Sequence, residues 1–248
     1  VAALRAHVGR PEPALDHALH MVVPLAAGLG GGSSDAAAAV AVAARAWGLA
    51  LDRPTRLAIG AQIGSDVPFF ALGAAAAWAT GRGERLAVLP AATGEPACLL
   101  AVSAGGVATA DVFATLDRIR PADGGATPGG ATEATASLAA ALRTGLDAAA
   151  LVARAGELRE ANDLWAALAA LRPDVVRWRD ALEAAAGRPW LLSGSGPTLV
   201  ALYASLPEAR VAAERLARHP AGRPDGARLI ATPLGAARRR SSESEGAA

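Results

Sequence analysis

Apolar and polar positions alternate along this chain in short blocks, broken by clusters of glycine and proline. Residues 17–23 (HALHMVV) form a brief apolar run that stops at Pro24 and predicts a strand. A loop of small residues follows to Gly32. Ser33, Ser34 and Asp35 then open an alanine-rich stretch ending at Trp47, with Gly48 behind it, which predicts a helix with a polar start and a glycine stop. A second helix is expected over 54–63, with Asp52 near its start and Pro54 in its first turn. Residues 64–70 read as a turn feeding an apolar segment. Strands are expected at 74–80 and 85–89, joined by Gly81-Arg82-Gly83-Glu84. Proline, glycine and threonine cluster over 90–96 and mark a boundary.

Beyond that boundary the pattern predicts a strand over 98–103 and a helix over 109–120. A flexible surface loop is expected over 121–132, then helices over 134–143, 147–154 and 173–186. Strands over 190–192 and 198–203 flank Ser193-Gly194-Ser195-Gly196-Pro197, followed by a helix over 207–218 and a last strand over 227–231. The polar end, 237–248, is expected to be disordered. Strands mix with helices throughout, so the expected class is α+β. The expected domains are 1–92 and 93–236.

Composition narrows the function. Hydrophobic residues make up 52% and charged residues 19%, a globular balance over a length of 248 residues. The formal net charge of +1 argues against a broad nucleic-acid surface. All 24 basic residues are arginine, so within these residues neither a Walker A loop nor a lysine Schiff base can operate. The single cysteine, Cys98, forms no intrachain disulfide and reads as a small buried hydrophobe. His7, His17 and His20 show no metal-ligand spacing, and no metal site is expected. No apolar run is long enough to span a bilayer and no secretory signal opens the sequence, so a cytoplasmic location is expected. The first residue is Val1, which reads as a processed chain or a fragment.

The richest stretch chemically is Gly28-Leu29-Gly30-Gly31-Gly32-Ser33-Ser34. Glycines admit positive φ and let a ligand approach without a Cβ in the way. A helix N-terminus immediately after them presents unpaired N–H groups and about half a positive charge. Together these form an anion site that needs no lysine, with the Ser33 and Ser34 hydroxyls available to a phosphate oxygen or to Mg²⁺. A Cβ at Gly31 is expected to fill the phosphate's space. Asp35 suits the helix start but would repel phosphate, and it reads as structural.

Pro24-x-x-x-Gly28-Leu-Gly-Gly-Gly-Ser-Ser-Asp-Ala-Ala-Ala38 resembles the second, ATP-binding motif of the GHMP kinases, and Ser193-Gly-Ser-Gly-Pro-Thr198 is similar to their third motif. Gly64-Ser-Asp-Val-Pro-Phe-Phe70, Gly81-x-Gly-Glu-x-Leu86 and Asn162-Asp-Leu164 fit, in the same order, the group of that family that phosphorylates a cytidine-diphosphate-linked methylerythritol. The resemblance covers most of residues 1–235. It implies a two-domain α+β fold, with an incomplete S5 domain 2-like N-terminal part and a ferredoxin-like C-terminal domain. It further implies ATP with Mg²⁺ in the cleft between domains, and transfer of the γ-phosphate to a hydroxyl of that small molecule in non-mevalonate isoprenoid biosynthesis. Another alcohol acceptor of the family, homoserine or a mevalonate-pathway compound, or a nucleotide-binding chain impaired in catalysis, are the alternatives.

By position the resemblance makes Asp66 the catalytic aspartate, which would orient the attacking hydroxyl and take its proton. It gives Pro24, Ala27, Gly28, Leu29, Gly30, Gly31, Gly32, Ser33 and Ser34 to the nucleotide, and Gly194, Ser195 and Gly196 to a turn packed on that loop. Phe113 stands where the family stacks an aromatic on cytosine, with Thr109 and Ala110 in the same pocket. Read from its helix alone, Phe113 could equally be a core residue. The family's first motif carries a lysine on an opening strand, and neither is visible here. An N-terminally truncated chain, weakly active or inactive, is therefore expected. The oligomeric state is not legible.

Overall fold

A computed structural model describes residues 1–9, 12–16, 18–120, 133–222 and 226–235. The readings of His17, of the 121–132 loop and of the 237–248 tail lie outside the described residues.

The first part of the chain is helical: α1 (Ala2–Val8), α2 (Gly31–Ala46), α3 (Arg53–Ile63) and α4 (Val67–Leu72), followed by a hairpin of β1 (Ala76–Thr80) and β2 (Arg85–Leu89). Local chemistry explains these limits. The Asp52 side chain accepts from the Thr55 N–H at 2.9 Å and starts α3. Pro68 sits in the first turn of α4, and Gly73, at φ 66°, ends it. Leu4, Val40, Ala43, Trp47 and Ile59 bury together where α1, α2 and α3 meet.

The rest of the chain contains β3 (Ala97–Val102), α5 (Thr109–Ile119), α6 (Glu133–Thr144), α7 (Ala148–Ala153), α8 (Ala155–Arg159), α9 (Trp165–Leu171) and α10 (Pro173–Ala186). These are followed by β4 (Leu191–Leu192), β5 (Leu199–Tyr203), α11 (Leu206–Ala217), a 3-10 turn (Pro220–Gly222) and β6 (Arg228–Pro233). The four strands form one antiparallel sheet in the order β4-β5-β3-β6. One of its two interior strands, β3, is buried on both faces. Ala97, Leu99 and Ala101 point into a core with Trp178, Leu182, Trp190 and Leu216, while Cys98 shares the opposite core with Leu89, Leu142 and Leu151. Trp78 of β1 packs against that second core, so the hairpin lies over the sheet. Burial pushes the Cys98 thiol up to about 11 and leaves it a packing residue.

The α+β class stands, with several local corrections. Residues 18–23 form no strand. A strand needs a partner to take its N–H and C=O groups, and none lies beside this run among the described residues. Leu19 and Val22 are exposed there. The helix expected from Ser33 starts at Gly31, because helix starts tolerate glycine that interiors disfavour. The segment after Asp66 is a short helix rather than a turn. Helices α1, α8 and α9 had no counterpart in the hydrophobic pattern.

Candidate active site

Gly30 is the N-cap of α2, with φ 66°, and it offers no side-chain cap to the first-turn amides. The starts of α3, α7 and α11 are closed by Asp52, Asp147 and Ser205. A 16-residue helix with an uncapped start presents its N–H groups and positive end outward. A Cβ added at Gly32 would meet nothing within 4 Å, so open space lies at this end of the helix. That cradle fits the phosphates of a nucleotide.

The other glycines serve different neighbours. A Cβ at Gly31 would lie 2.9 Å from Cβ of Val23, and one at Gly30 would lie 2.7 Å from the Phe70 ring. The expectation that a Cβ at Gly31 fills the phosphate's space is thereby corrected: that Cβ would meet Val23, and the open space lies at Gly32. Ser34 donates to the Gly31 carbonyl at 2.8 Å, which turns its hydroxyl back along the helix.

Behind the loop lies the second glycine turn. Three successive carbonyls of the loop bond to residues beyond β2: Ala26 to the Val107 N–H at 3.1 Å, Ala27 to the Thr198 N–H at 3.3 Å, and Gly28 to the Ser193 hydroxyl at 2.8 Å. At Gly28, φ is 74° and a Cβ would stand 2.3 Å from the Ser193 carbonyl oxygen. Only glycine allows this approach. Gly194 and Gly196 carry positive φ within the same turn, Gly196–Pro197 is a cis peptide, and Ser195 is buried. Ala27 is buried as well, while Pro24 and Leu29 are half-buried.

Asp66 is exposed at the start of α4, and its carboxylate caps no amide of that helix. Its Oδ1 would lie 3.6 Å from a Cβ at Gly83, so the β1–β2 turn reaches over it. Glu84 shapes that turn by accepting from the Arg82 N–H at 2.7 Å, and backbone bonds hold its carboxyl below the usual range. Phe70, whose ring touches Gly30, comes four residues after Asp66, on the same face of α4. That offset is about 6 Å along the axis. One short helix thus carries the carboxylate and leans on the glycine loop.

Helix α5 starts beside the second glycine turn, with Thr109 Oγ1 3.0 Å from Ser195 Oγ. Val112, Thr115 and Leu116 are its buried face. Phe113 is 50% exposed on the other side, with Thr109 and Ala110, so its reading as a core residue is set aside. Sequence reasoning missed three contributors: Ser193, Phe70 and Gly106, whose added Cβ would lie 3.0 Å from the Ala26 carbonyl oxygen. Ser193 and Phe70 stood inside recognised segments without a role of their own; nothing in the sequence marked Gly106.

Residues 1–74 match the family described as GHMP kinases N terminal domain, and residues 138–222 match GHMP kinases C terminal. A protein from Salinispora arenicola named 4-diphosphocytidyl-2-C-methyl-D-erythritol kinase is 42% identical over 213 residues, 86% of this chain and 64% of its own length. The chain thus spans less than two thirds of that relative. A crystal structure of 4-(cytidine 5'-diphospho)-2C-methyl-D-erythritol kinase superimposes with a TM-score of 0.61 at 30% identity, over 86% of this chain and 68% of that one. A homoserine kinase from Cytophaga hutchinsonii has a TM-score of 0.65 at 16% identity, over 87% and 68%, and shares the fold alone.

Proposed function

The chain belongs to the GHMP kinases, with their two-domain α+β fold, and from that membership we propose that it transfers the γ-phosphate of ATP to the 2-hydroxyl of 4-diphosphocytidyl-2-C-methyl-D-erythritol. The observation that carries this reading is the uncapped mouth of α2 opening at Gly32, with Asp66 on the helix that touches the loop. The choice of acceptor rests on the named relatives, on the segment around Asp66 and on the exposed Phe113 ring, which suits stacking on a base. The division at residues 92–93 belongs to the same proposal, as does a cytoplasmic location, where ATP is at hand.

In this mechanism the amides of α2 bind the phosphate oxygens without lysine. Asp66 accepts a hydrogen bond from the acceptor's hydroxyl and takes its proton as the new O–P bond forms and the β–γ bridging O–P bond breaks, releasing ADP. Mg²⁺ bound with the nucleotide would neutralise phosphate charge, and the Ser33 and Ser34 hydroxyls would be the candidates to hold it. Phe113, Thr109 and Ala110 would orient the cytidine end.

Asp66→Asn is the decisive variant. Its kcat should fall on the order of 10²–10⁴-fold while ATP affinity stays within about twofold of wild type. Turnover unchanged in Asp66→Asn would remove the base. Phosphorylation of homoserine but not of the cytidyl alcohol would remove the substrate.

A further inference from the structure

The turn on which the glycine loop rests is itself held by one amide side chain. Asn162 lies between α8 and α9. Its Nδ2 donates to the carbonyls of Leu192 at 3.1 Å and Gly194 at 2.8 Å, and its Oδ1 accepts from the Leu164 N–H at 3.0 Å. With both polar atoms engaged, the amide can point only one way. On its other side the same turn grips the loop, through the Ser193 hydroxyl on the Gly28 carbonyl and through the close approach at Gly28. There is no slack between them, because a single added carbon at Gly28 would overlap Ser193. A shift of the turn is therefore passed to Gly28, two residues before the N-cap of α2.

We infer that Asn162 is a positioning residue for the nucleotide phosphates, acting through the Ser193–Gly196 turn on the glycine loop. The inference rests on the reading of that loop as the ATP site. Asn162 makes its bonds to the turn and to Leu164, and none of them goes to residues 28–34. An isosteric carboxylate cannot replace it, since its oxygens would face two carbonyl oxygens. Asn162→Asp does keep the acceptor for the Leu164 N–H, and with it the entry to α9.

Calorimetric titration of the whole chain with ATP and Mg²⁺ distinguishes positioning from mere stability. A destabilised chain binds with lower stoichiometry at unchanged Kd; a displaced loop binds with full stoichiometry at a raised Kd. Asn162→Asp and Asn162→Ala should each keep the stoichiometry and raise Kd about tenfold, the equivalent of one or two lost hydrogen bonds. Adding Ser193→Ala to Asn162→Ala should cost less than the product of the single effects, since either change frees the same turn. Unchanged Kd in both Asn162 variants, or a fall in stoichiometry alone, overturns the inference and leaves the ATP reading intact. A wild-type chain that binds no ATP overturns both.

Discussion

At the scale of single residues, the four glycines at 28, 30, 31 and 32 look alike in sequence and differ in the folded chain. Gly28 is required by its positive φ and by the Ser193 carbonyl behind it. Gly28→Ala should therefore destabilise the protein by about 3 kcal/mol, from left-handed backbone and overpacking together, seen as a lowered urea midpoint. Gly32 has neither constraint. Gly32→Val should leave the urea midpoint nearly unchanged and weaken ATP binding by at least about tenfold, by filling the cradle. If both variants lost the same stability, the two glycines would share one structural role. The GLGGGSS pattern advertised a phosphate loop, but a glycine carries no sign of which neighbour needs its missing side chain. For that reason the sequence assigned all four glycines to the nucleotide alike, although the close neighbour of Gly31 is Val23.

Among the elements, α10 fixes the strand that leads into the second glycine turn. Glu183 accepts from Arg159 Nε at 2.7 Å and Nη2 at 2.9 Å, and from the Trp190 N–H at 2.9 Å. Burial by itself would raise its carboxyl. The Arg159 bonds, the Trp190 amide and nearby arginines outweigh that and hold it below the usual glutamate range. The folded chain thus binds this proton more weakly than the unfolded one. The stabilisation is complete above about pH 4.3 and disappears as pH falls through the lower, folded value. Glu183→Gln should cost on the order of 2 kcal/mol in urea unfolding at pH 7, and the gap to wild type should close below pH 3. A gap of equal size at both pH values would assign the loss to packing rather than charge. Most long elements were legible, since α2, α3, α5, α10 and α11 carry caps, periodic apolar faces or glycine stops. The short α8 and α9 were not, because pieces of five and seven residues offer too few turns to show a period. The apolar run before Pro24 misled in the opposite sense: β propensity marks a residue's fit to a sheet, and no strand lies beside this run among the described residues.

Over the whole molecule, the order of the motifs was readable and their meeting was not. Ser193 bonds Gly28 across 165 residues of chain, and no local pattern encodes that distance. Because the carbonyls of Ala26, Ala27 and Gly28 all end on residues beyond β2, the glycine loop is a joint as well as the proposed nucleotide site. The joint ties nucleotide binding to the folding of both halves. ATP at one hundred times its Kd should stabilise the folded chain by about 2.7 kcal/mol, or roughly 5–10 °C in Tm for a chain of this size. The shift should appear in one calorimetric transition, since the loop carbonyls bond the segment before α2 to residues beyond the hairpin. Asp66→Asn should shift equally, because its carboxylate serves the transfer step and not the phosphates at rest. Gly32→Val should shift by about half as much or less at the same ATP concentration, since a tenfold-weaker site gains only about 1.4 kcal/mol. If ATP instead raised one transition and left a second in place, the loop would bind its ligand within one half, and the carbonyl bonds across the joint would carry none of the coupling.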